Sequence, residues 1–282
     1  MTQSVRDLAF QSIQDILNDN AYSNLKINEV INQYNIATVD KALFTELVYG
    51  TIKRKMTLDF YLKPFVKTRI KGWVRQLLWM SLYQYVFLDK IPNHAIINEA
   101  VNIAKRRGGQ HNGNIVNAIL RHIFKSDLPT LETIKNEKQR MTIEYSIPRW
   151  IIEHWITHYG IETTHKIAKS FLVQSASTVR VNTSRTDVET ISKALLQEGY
   201  HVDIDQLIPY CLHLTGKPVI ESRAFKDGLI SIQDKSSMLV GYLMDVQKDD
   251  TILDACSAPG GKACHMACLL YTSDAADERS SV

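Results

Sequence analysis

A chain of 282 residues has room for two domains or slightly more, and 45% hydrophobic with 22% charged residues is the make-up of an ordinary soluble globular protein. No apolar run approaches the roughly 20 residues that span a bilayer, no apolar signal core follows Met1, and four cysteines are too few for a secreted disulfide framework, so a cytoplasmic protein is expected. The net charge of +3 hides an asymmetry: residues 1–125 hold 17 Lys and Arg against 9 Asp and Glu, residues 126–282 hold 16 against 21, and a first half at +8 is suited to a polyanion.

The first 125 residues read as helix throughout. Leu8, Ala9, Ile13, Ile16 and Leu17 make a helical stripe over 6–17. A short helix follows over 25–34. Asp40 is the expected cap of a longer one that carries Leu43, Phe44, Leu47, Val48 and Ile52 on one face. Gly72 precedes a helix with Trp73, Leu77, Leu78, Leu82 and Tyr85 on its apolar side. Ile91-Pro92-Asn93 reads as a break and a cap, opening a helix over 94–106 that Gly108-Gly109 stops. A last helix is expected over 113–124, which completes a bundle with short connections. Residues 126–165 read as a helical connector punctuated by Pro129 and Pro148.

From Thr178 the pattern changes. Residues 178–182 alternate as a strand, and Thr186 is placed to cap a helix that Gly199 closes. Residues 200–204, 210–214 and 229–233 are further strand candidates. Asp234 or Ser236 opens a helix to about 246, and Asp249-Asp250 is a turn. Thr251 to Ala255 reads as a short buried strand, Ser257 to Gly261 as a loop, and Lys262 as the start of a helix.

A buried strand ending in Asp254, a loop with two glycines and then a helix is the opening unit of a doubly wound sheet, where ligands sit beyond the strand ends. Gly260 and Gly261 leave the backbone bare for close approach, and the next helix offers free N–H groups to an anion. Two nucleotide motifs fail on spacing. A P-loop would put Gly at Cys256 and Ser or Thr at Ala263, and no Gly-x-Gly-x-x-Gly is present. An ordinary Gly-Gly turn fits the spacing as well. Cys264, His265 and Cys268 invite a zinc reading, but structural zinc wants a second ligand pair, so helix thiols and no metal are expected.

Asp254-Ala255-Cys256-Ser257-Ala258-Pro259-Gly260-Gly261-Lys262 resembles the cofactor motif of the Nol/Nop/Sun family of RNA 5-methylcytosine methyltransferases. Gly228 to Ser237 (GLISIQDKSS) resembles that family's approach to its catalytic domain, and Arg180-Val181-Asn182-Thr183 its preceding small domain. The segments 43–50 (LFTELVYG), 81–84 (SLYQ) and 98–101 (NEAV) are similar to the NusB-like RNA-binding domain that bacterial members carry in front. The resemblance runs over about residues 4–267. It implies an all-α NusB-like bundle (1–125), a helical connector (126–165), a small α/β RNA-binding domain (166–228) and the start of a Rossmann-like methyltransferase domain (229–269). It implies S-adenosylmethionine as cofactor, held by Cys256, Ser257, Ala258, Pro259, Gly260, Gly261 and Lys262, with Lys262 reaching the cofactor carboxylate or the RNA. The implied activity is methylation of cytosine C5 in small-subunit rRNA by a monomer without a metal or a membrane partner.

The chain departs from the family in two ways. The family's nucleophilic cysteine and the second cysteine that assists release both lie beyond the cofactor loop, and neither is present here; Cys256 belongs to the loop itself. The acidic residue that holds the ribose normally falls about 20 positions past the glycines, whereas Asp274, Asp277 and Glu278 come too early. Residues 270–282 do not resemble the family and are expected to be disordered or misplaced. The sequence therefore reads as a C-terminally truncated, inactive member, and an RNA-binding NusB-type module without catalysis is the alternative. A lone strand–helix unit from about residue 230 cannot bury its strand on both faces, so instability is expected there.

RNA contact is assigned to Lys53, Arg54, Lys55, Lys67, Arg69, Lys71 and Arg75, a run in which Lys63 also falls and only Asp59 opposes. Lys105-Arg106-Arg107 and Arg121 are candidates to join it in space. A solvated charged face is the plain reading of such a run, and the imbalance of charge favours RNA. Trp73, Trp79, Trp150 and Trp155 are read as core or interface residues rather than base-stacking platforms.

Overall fold

The computed structural model describes residues 4–19, 21–173, 176–247 and 249–279. The chain divides into two compact units, Met1–Val173 and Gln174–Val282.

The first unit is helical. Its elements are α1 (Val5–Asp19), α2 (Ser23–Gln33), α3 (Thr38–Lys53), α4 (Lys55–Leu62), α5 (Gly72–Phe87), α6 (Asn93–Ile123), α7 (Glu137–Tyr145) and α8 (Arg149–Ser170). α5 is the central helix. Every residue from Gln76 to Gln84 is buried, and Leu77, Leu78 and Leu82 pack with Phe10 and Ile13 of α1, Phe44 and Leu47 of α3, and Ile103, Val116 and Leu120 of α6 in one core. A helix buried on all sides must satisfy its polar residues internally. Ser81 donates to the Leu77 carbonyl (2.8 Å), Gln84 to the Met80 carbonyl (3.1 Å), and Gln76 to Asn18 Oδ1 (3.1 Å).

Helix boundaries follow the sequence except in their caps and at α4, where no helix was expected. Asp40 does not cap α3: the cap position is Ala37 and Asp40 lies in the first turn, where its charge favours the helix dipole. Asn93 is the first residue of α6 and Pro92 occupies the cap, because its ring already holds the extended conformation that the position requires. α6 is interrupted at Gly109 (φ 76°, ψ 177°), a conformation open to glycine, so the stop expected at Gly108-Gly109 is a break between two helical segments. Across the connector, Thr57 Oγ1 donates to the Ile143 carbonyl (2.5 Å) and Ser146 Oγ accepts from Met56 N (2.8 Å), which ties α4 to α7.

The second unit holds an antiparallel sheet in the order β2-β3-β1-β4, from β1 (Ser177–Val181), β2 (His201–Ile204), β3 (Cys211–Thr215) and β4 (Ile230–Ile232). Val179 lies opposite Leu212 on one side and Ile232 on the other, and Val202 opposite Leu214. α9 (Val188–Gln197) turns Ile191 and Leu195 into the core with Val179, Val181 and Leu212. Asp187, not Thr186, caps it, its carboxylate accepting from Thr190 N (2.8 Å); an aspartate one residue on outcompetes the threonine. The unit is completed by α10 (Arg223–Lys226), α11 (Lys235–Met244), capped by Asp234, and α12 (Gly261–Arg279).

Two expectations fail here. Residues 251–255 form no strand, and Leu253 is 92% exposed. A strand of a doubly wound sheet needs parallel neighbours to take its N–H and C=O groups, and every pairing among the described strands is antiparallel and leaves this segment out. The Rossmann-like start is thus reduced to its loop and helix. Residues 270–279, expected to be disordered or misplaced, continue α12 to Arg279. The stretch 271–279 includes Ala275, Ala276, Glu278 and Arg279 and no Gly or Pro, a composition that propagates an existing helix. Residues 280–282 lie outside the described residues. No described helix is long and apolar enough to cross a membrane.

Candidate functional site

The assigned RNA-contact residues separate into two groups. Lys53, Lys67, Arg69 and Lys71 are exposed, as is Lys63, and none of the five makes an ion pair among the described residues. They sit at the end of α3 and along the segment between α4 and α5. The other three are already engaged. Arg54 is half-buried with its guanidinium 4.6 Å from the Phe87 ring centroid, and burial lowers its pKa. Lys55 lies 5.5 Å from the Trp79 ring, and Arg75 pairs with Asp59 at 2.9 Å. Lys105-Arg106-Arg107 do not join this group as a block. Arg106 pairs with Asp7 of α1 (2.8 Å), and Arg107 donates to Gln14 and lies over Phe10. Arg121 donates to Asn117 (3.0 Å).

Of the tryptophans, Trp79 is buried, and Trp73 and Trp155 are half-buried, Trp155 stacked on Phe171 at 5.8 Å. Trp150 is 70% exposed and so is no core residue, because it stands in the first turn of α8 on the face away from Ile152.

In the second unit the glycine loop is held by its own ends. Asp254 Oδ1 accepts from Cys256 N (3.0 Å), and Lys262 Nζ donates to the Cys256 carbonyl (3.0 Å), so Lys262 is turned back on the loop. Ala258–Pro259 is a cis peptide, and Gly260 has φ +100° with open space where a side chain would stand. The first intrahelical bond of α12 runs from Cys264 N to the Gly260 carbonyl (2.9 Å), so the N–H groups of Gly261, Lys262 and Ala263 precede it and face the loop. Cys256 and Cys264 are exposed and Cys268 is half-buried. His265, between them, is buried at 1% exposure, which turns it away from Cys264. It packs edge-on to Tyr210 (5.1 Å) and against Gly241, with neither ring nitrogen hydrogen-bonded among the described residues, and burial with the nearby Arg180 charge pulls its pKa down to about 4.

Sequence reasoning missed one polar cluster. Asp205 Oδ2 accepts from Lys235 Nζ (2.6 Å) and His213 Nε2 (2.9 Å), while Oδ1 accepts from Leu207 N and Ile208 N (2.9 and 3.0 Å). Lys235, then His213, hold the Asp205 carboxyl well below the usual range. Cys211 lies close enough to share a metal ion with Asp205 and His213. The carboxylate already has a full set of donors, however, and burial pushes the Cys211 thiol up to about 11, away from the thiolate a metal needs. This is a structural network tying the β2–β3 hairpin to α11. The two-residue spacing of Cys211 and His213, which puts both on one face of a strand, was its signal in the sequence.

Comparison with known proteins finds two matching domain families, the second of which crosses the boundary between the two units. Residues 3–125 match the model of the NusB family, and residues 147–221 match that of the Methyltr_RsmF/B-like, ferredoxin-like domain, which takes in α8. Over 269 residues the chain is 39% identical to the probable ribosomal RNA small subunit methyltransferase B of Bacillus subtilis (strain 168), covering 95% of this chain and 60% of that protein. It is 28% identical over 272 residues to the probable protein of the same name from Synechocystis sp., covering 95% and 61%. The solved structure of PH0851 shares the fold, with a TM-score of 0.71 at 22% identity over 96% of this chain and 62% of that one. The order of domains defines the class: a NusB-type helical domain followed by the small antiparallel-sheet domain of RsmF/B-type methyltransferases. Within it, the chain is a homologue of the proteins named ribosomal RNA small subunit methyltransferase B, and it spans about three fifths of their length.

Proposed function

We propose that the chain carries the RNA-recognising domains and the methyl-donor loop of an S-adenosylmethionine-dependent methyltransferase acting on cytosine C5 of small-subunit rRNA. The observation that carries the reading is the glycine loop: an open Gly260 at positive φ leading into a helix whose first-turn N–H groups have no intrahelical acceptor. Such an end suits a carboxylate, and the loop fits the methionyl end of the cofactor. S-adenosylmethionine supplies the methyl group when bound. Cys256 to Lys262 hold it, with Gly261, Lys262 and Ala263 offering N–H groups to its carboxylate. The domain limits 1–125, 126–165, 166–228 and 229–269 belong to the same proposal, as does a cytoplasmic setting.

For the 282-residue chain itself, RNA binding without catalysis is favoured by its thiols. Cys211 is buried and held protonated, Cys256 is part of the loop, and Cys264 and Cys268 stand on α12. None is placed as an activated nucleophile. Incubated with small-subunit rRNA and isotopically labelled S-adenosylmethionine, the chain is expected to transfer no methyl group. Formation of 5-methylcytosine would overturn that part of the reading.

Lys53, Lys63, Lys67, Arg69 and Lys71, without ion pairs among the described residues, give a second expected result. A single strand that engages all five should show a log–log salt slope of about −3.5, since each phosphate contact contributes roughly −0.7. Fluorescence anisotropy over a salt series measures it. A flat response would refute RNA binding by this face.

A further inference from the structure

The first unit contains a cleft of about 580 Å³ between α4, α5 and α7. Its interior is apolar and aromatic, with Trp79 and Phe60 on one side and Ile134 and Ile143 on the other. The indole is held in place: Asp59 Oδ1 accepts from Trp79 Nε1 (3.0 Å) and from Arg75 (2.9 Å), which also neutralises the one acid in the lining. Lys55, whose Nζ lies 5.5 Å from the Trp79 ring, and Lys63 also line the cleft, and Lys63 makes no ion pair among the described residues. From Lys63 the chain continues to Lys71 with four cations, Lys63, Lys67, Arg69 and Lys71, and no acid. The far end of that segment lines a smaller recess of about 160 Å³, where Arg69 and Lys71 meet His111 and Asn112 of α6.

We propose that this cleft seats one unpaired nucleotide of single-stranded RNA, its base among Trp79, Phe60 and Ile143 and its phosphate on Lys63, with the strand running on along residues 63–71 toward the recess. The proposal rests on the RNA-binding reading and gives it a specific site. An aromatic, apolar slot ringed by cations is the recognition chemistry of splayed-out bases, and a duplex, whose bases are stacked and paired, has none to offer. An acidic amphipathic peptide would match the slot but leaves the acid-free row from Lys63 to Lys71 without a role, whereas a phosphodiester backbone uses all of it.

The test uses the full 282-residue chain and two fluorescein-labelled probes of equal length and charge, an oligouridine 12-mer and its fully abasic counterpart. The intact strand is expected to bind about tenfold tighter or more, the gain from stacking one base. Gln139→Trp, at an exposed residue of the cleft lining, fills the slot without touching the core. In that variant the preference for bases should fall to about twofold or less, while the salt slope stays as in the unmodified chain. Equal binding of both probes by the unmodified chain would overturn the cleft and leave the basic face standing. Salt-independent or absent binding of both would overturn the RNA reading as well. A base preference that survives Gln139→Trp would put the base elsewhere and overturn the proposal. So would an acidic amphipathic peptide that binds the unmodified chain but not the variant while the two RNA probes stay equal.

Discussion

Gly50→Ala is expected to destabilise the helical unit by about 3 kcal/mol, the upper range for forcing a methyl group into a packed core. Gly50 is buried in α3, and a Cβ there would fall inside the ring of Tyr83 on α5. The ring has nowhere to go. It is 6% exposed, tilts against Phe87 at 5.3 Å, and its hydroxyl donates to Glu46 one turn back along α3. Burial, then Glu46, raises the Tyr83 pKa well above its usual value, so the phenol stays a donor throughout the ordinary pH range. Alanine would add about 1 kcal/mol of helix propensity, and the clash outweighs it. Urea unfolding followed by tryptophan fluorescence reads this unit alone, because Trp73, Trp79, Trp150 and Trp155 all belong to it. Tyr83→Leu in the Gly50→Ala background should restore part of the loss, a coupling of at least about 1 kcal/mol between touching residues. Glu46 is exposed and takes water in its place. An unchanged midpoint for Gly50→Ala would show that α3 and α5 are not in this contact.

How far such features were legible depended on where the physics lies. Periodicity located the helices of the first 125 residues except α4 (Lys55–Leu62), because an apolar stripe is a local property of the chain and the dense cations around this short helix mask it. It understated α5. The stripe Trp73, Leu77, Leu78, Leu82, Tyr85 marks one face, yet Gln76, Ser81 and Gln84 are buried too, their side chains bonded partly within the helix and partly to Arg6 and Asn18 of α1. Alternation found β1 to β4, but Thr251 to Ala255 has the same apolar look and no partner, and partnership is not written in a five-residue segment. Charge counting found the basic run. It could not separate Lys67, Arg69 and Lys71, which make no ion pair among the described residues, from Arg75, which Asp59 holds, or from Arg106, which reaches across to Asp7. The turn at Gly260 was legible because glycine takes a positive φ without strain. The slot beside Trp79 was not, since α7 supplies one wall from some sixty residues away along the chain.

The second unit should lose stability as pH falls from about 6.5 to about 4, by up to about 3 kcal/mol, through His265. Its folded pKa is lowered to about 4, by burial first and by the Arg180 charge second. In the unfolded chain it titrates near 6.5. Between those values the unfolded state binds the extra proton, so stability rises with pH across the window and is fully present above it; every tenfold loss of proton affinity on folding is worth about 1.4 kcal/mol. The groups around the ring do not offset this. Arg180 is cationic, Tyr210 is protonated with its pKa near 12, and Gly241 contributes only backbone. The carboxylates Asp187, Asp205 and Asp234 all have lowered pKa values, so their contributions are lost only below about pH 4, in a separate window. Hydrogen exchange of β3 amides, corrected for the intrinsic pH dependence, isolates this unit from the tryptophan-bearing one. His265→Leu keeps the volume and removes the titration, so protection should become flat between pH 6.5 and 4. If the leucine variant keeps the original pH slope, His265 is not the group that α12 buries, and the packing of α12 against Tyr210 and Gly241 is not the one present in solution.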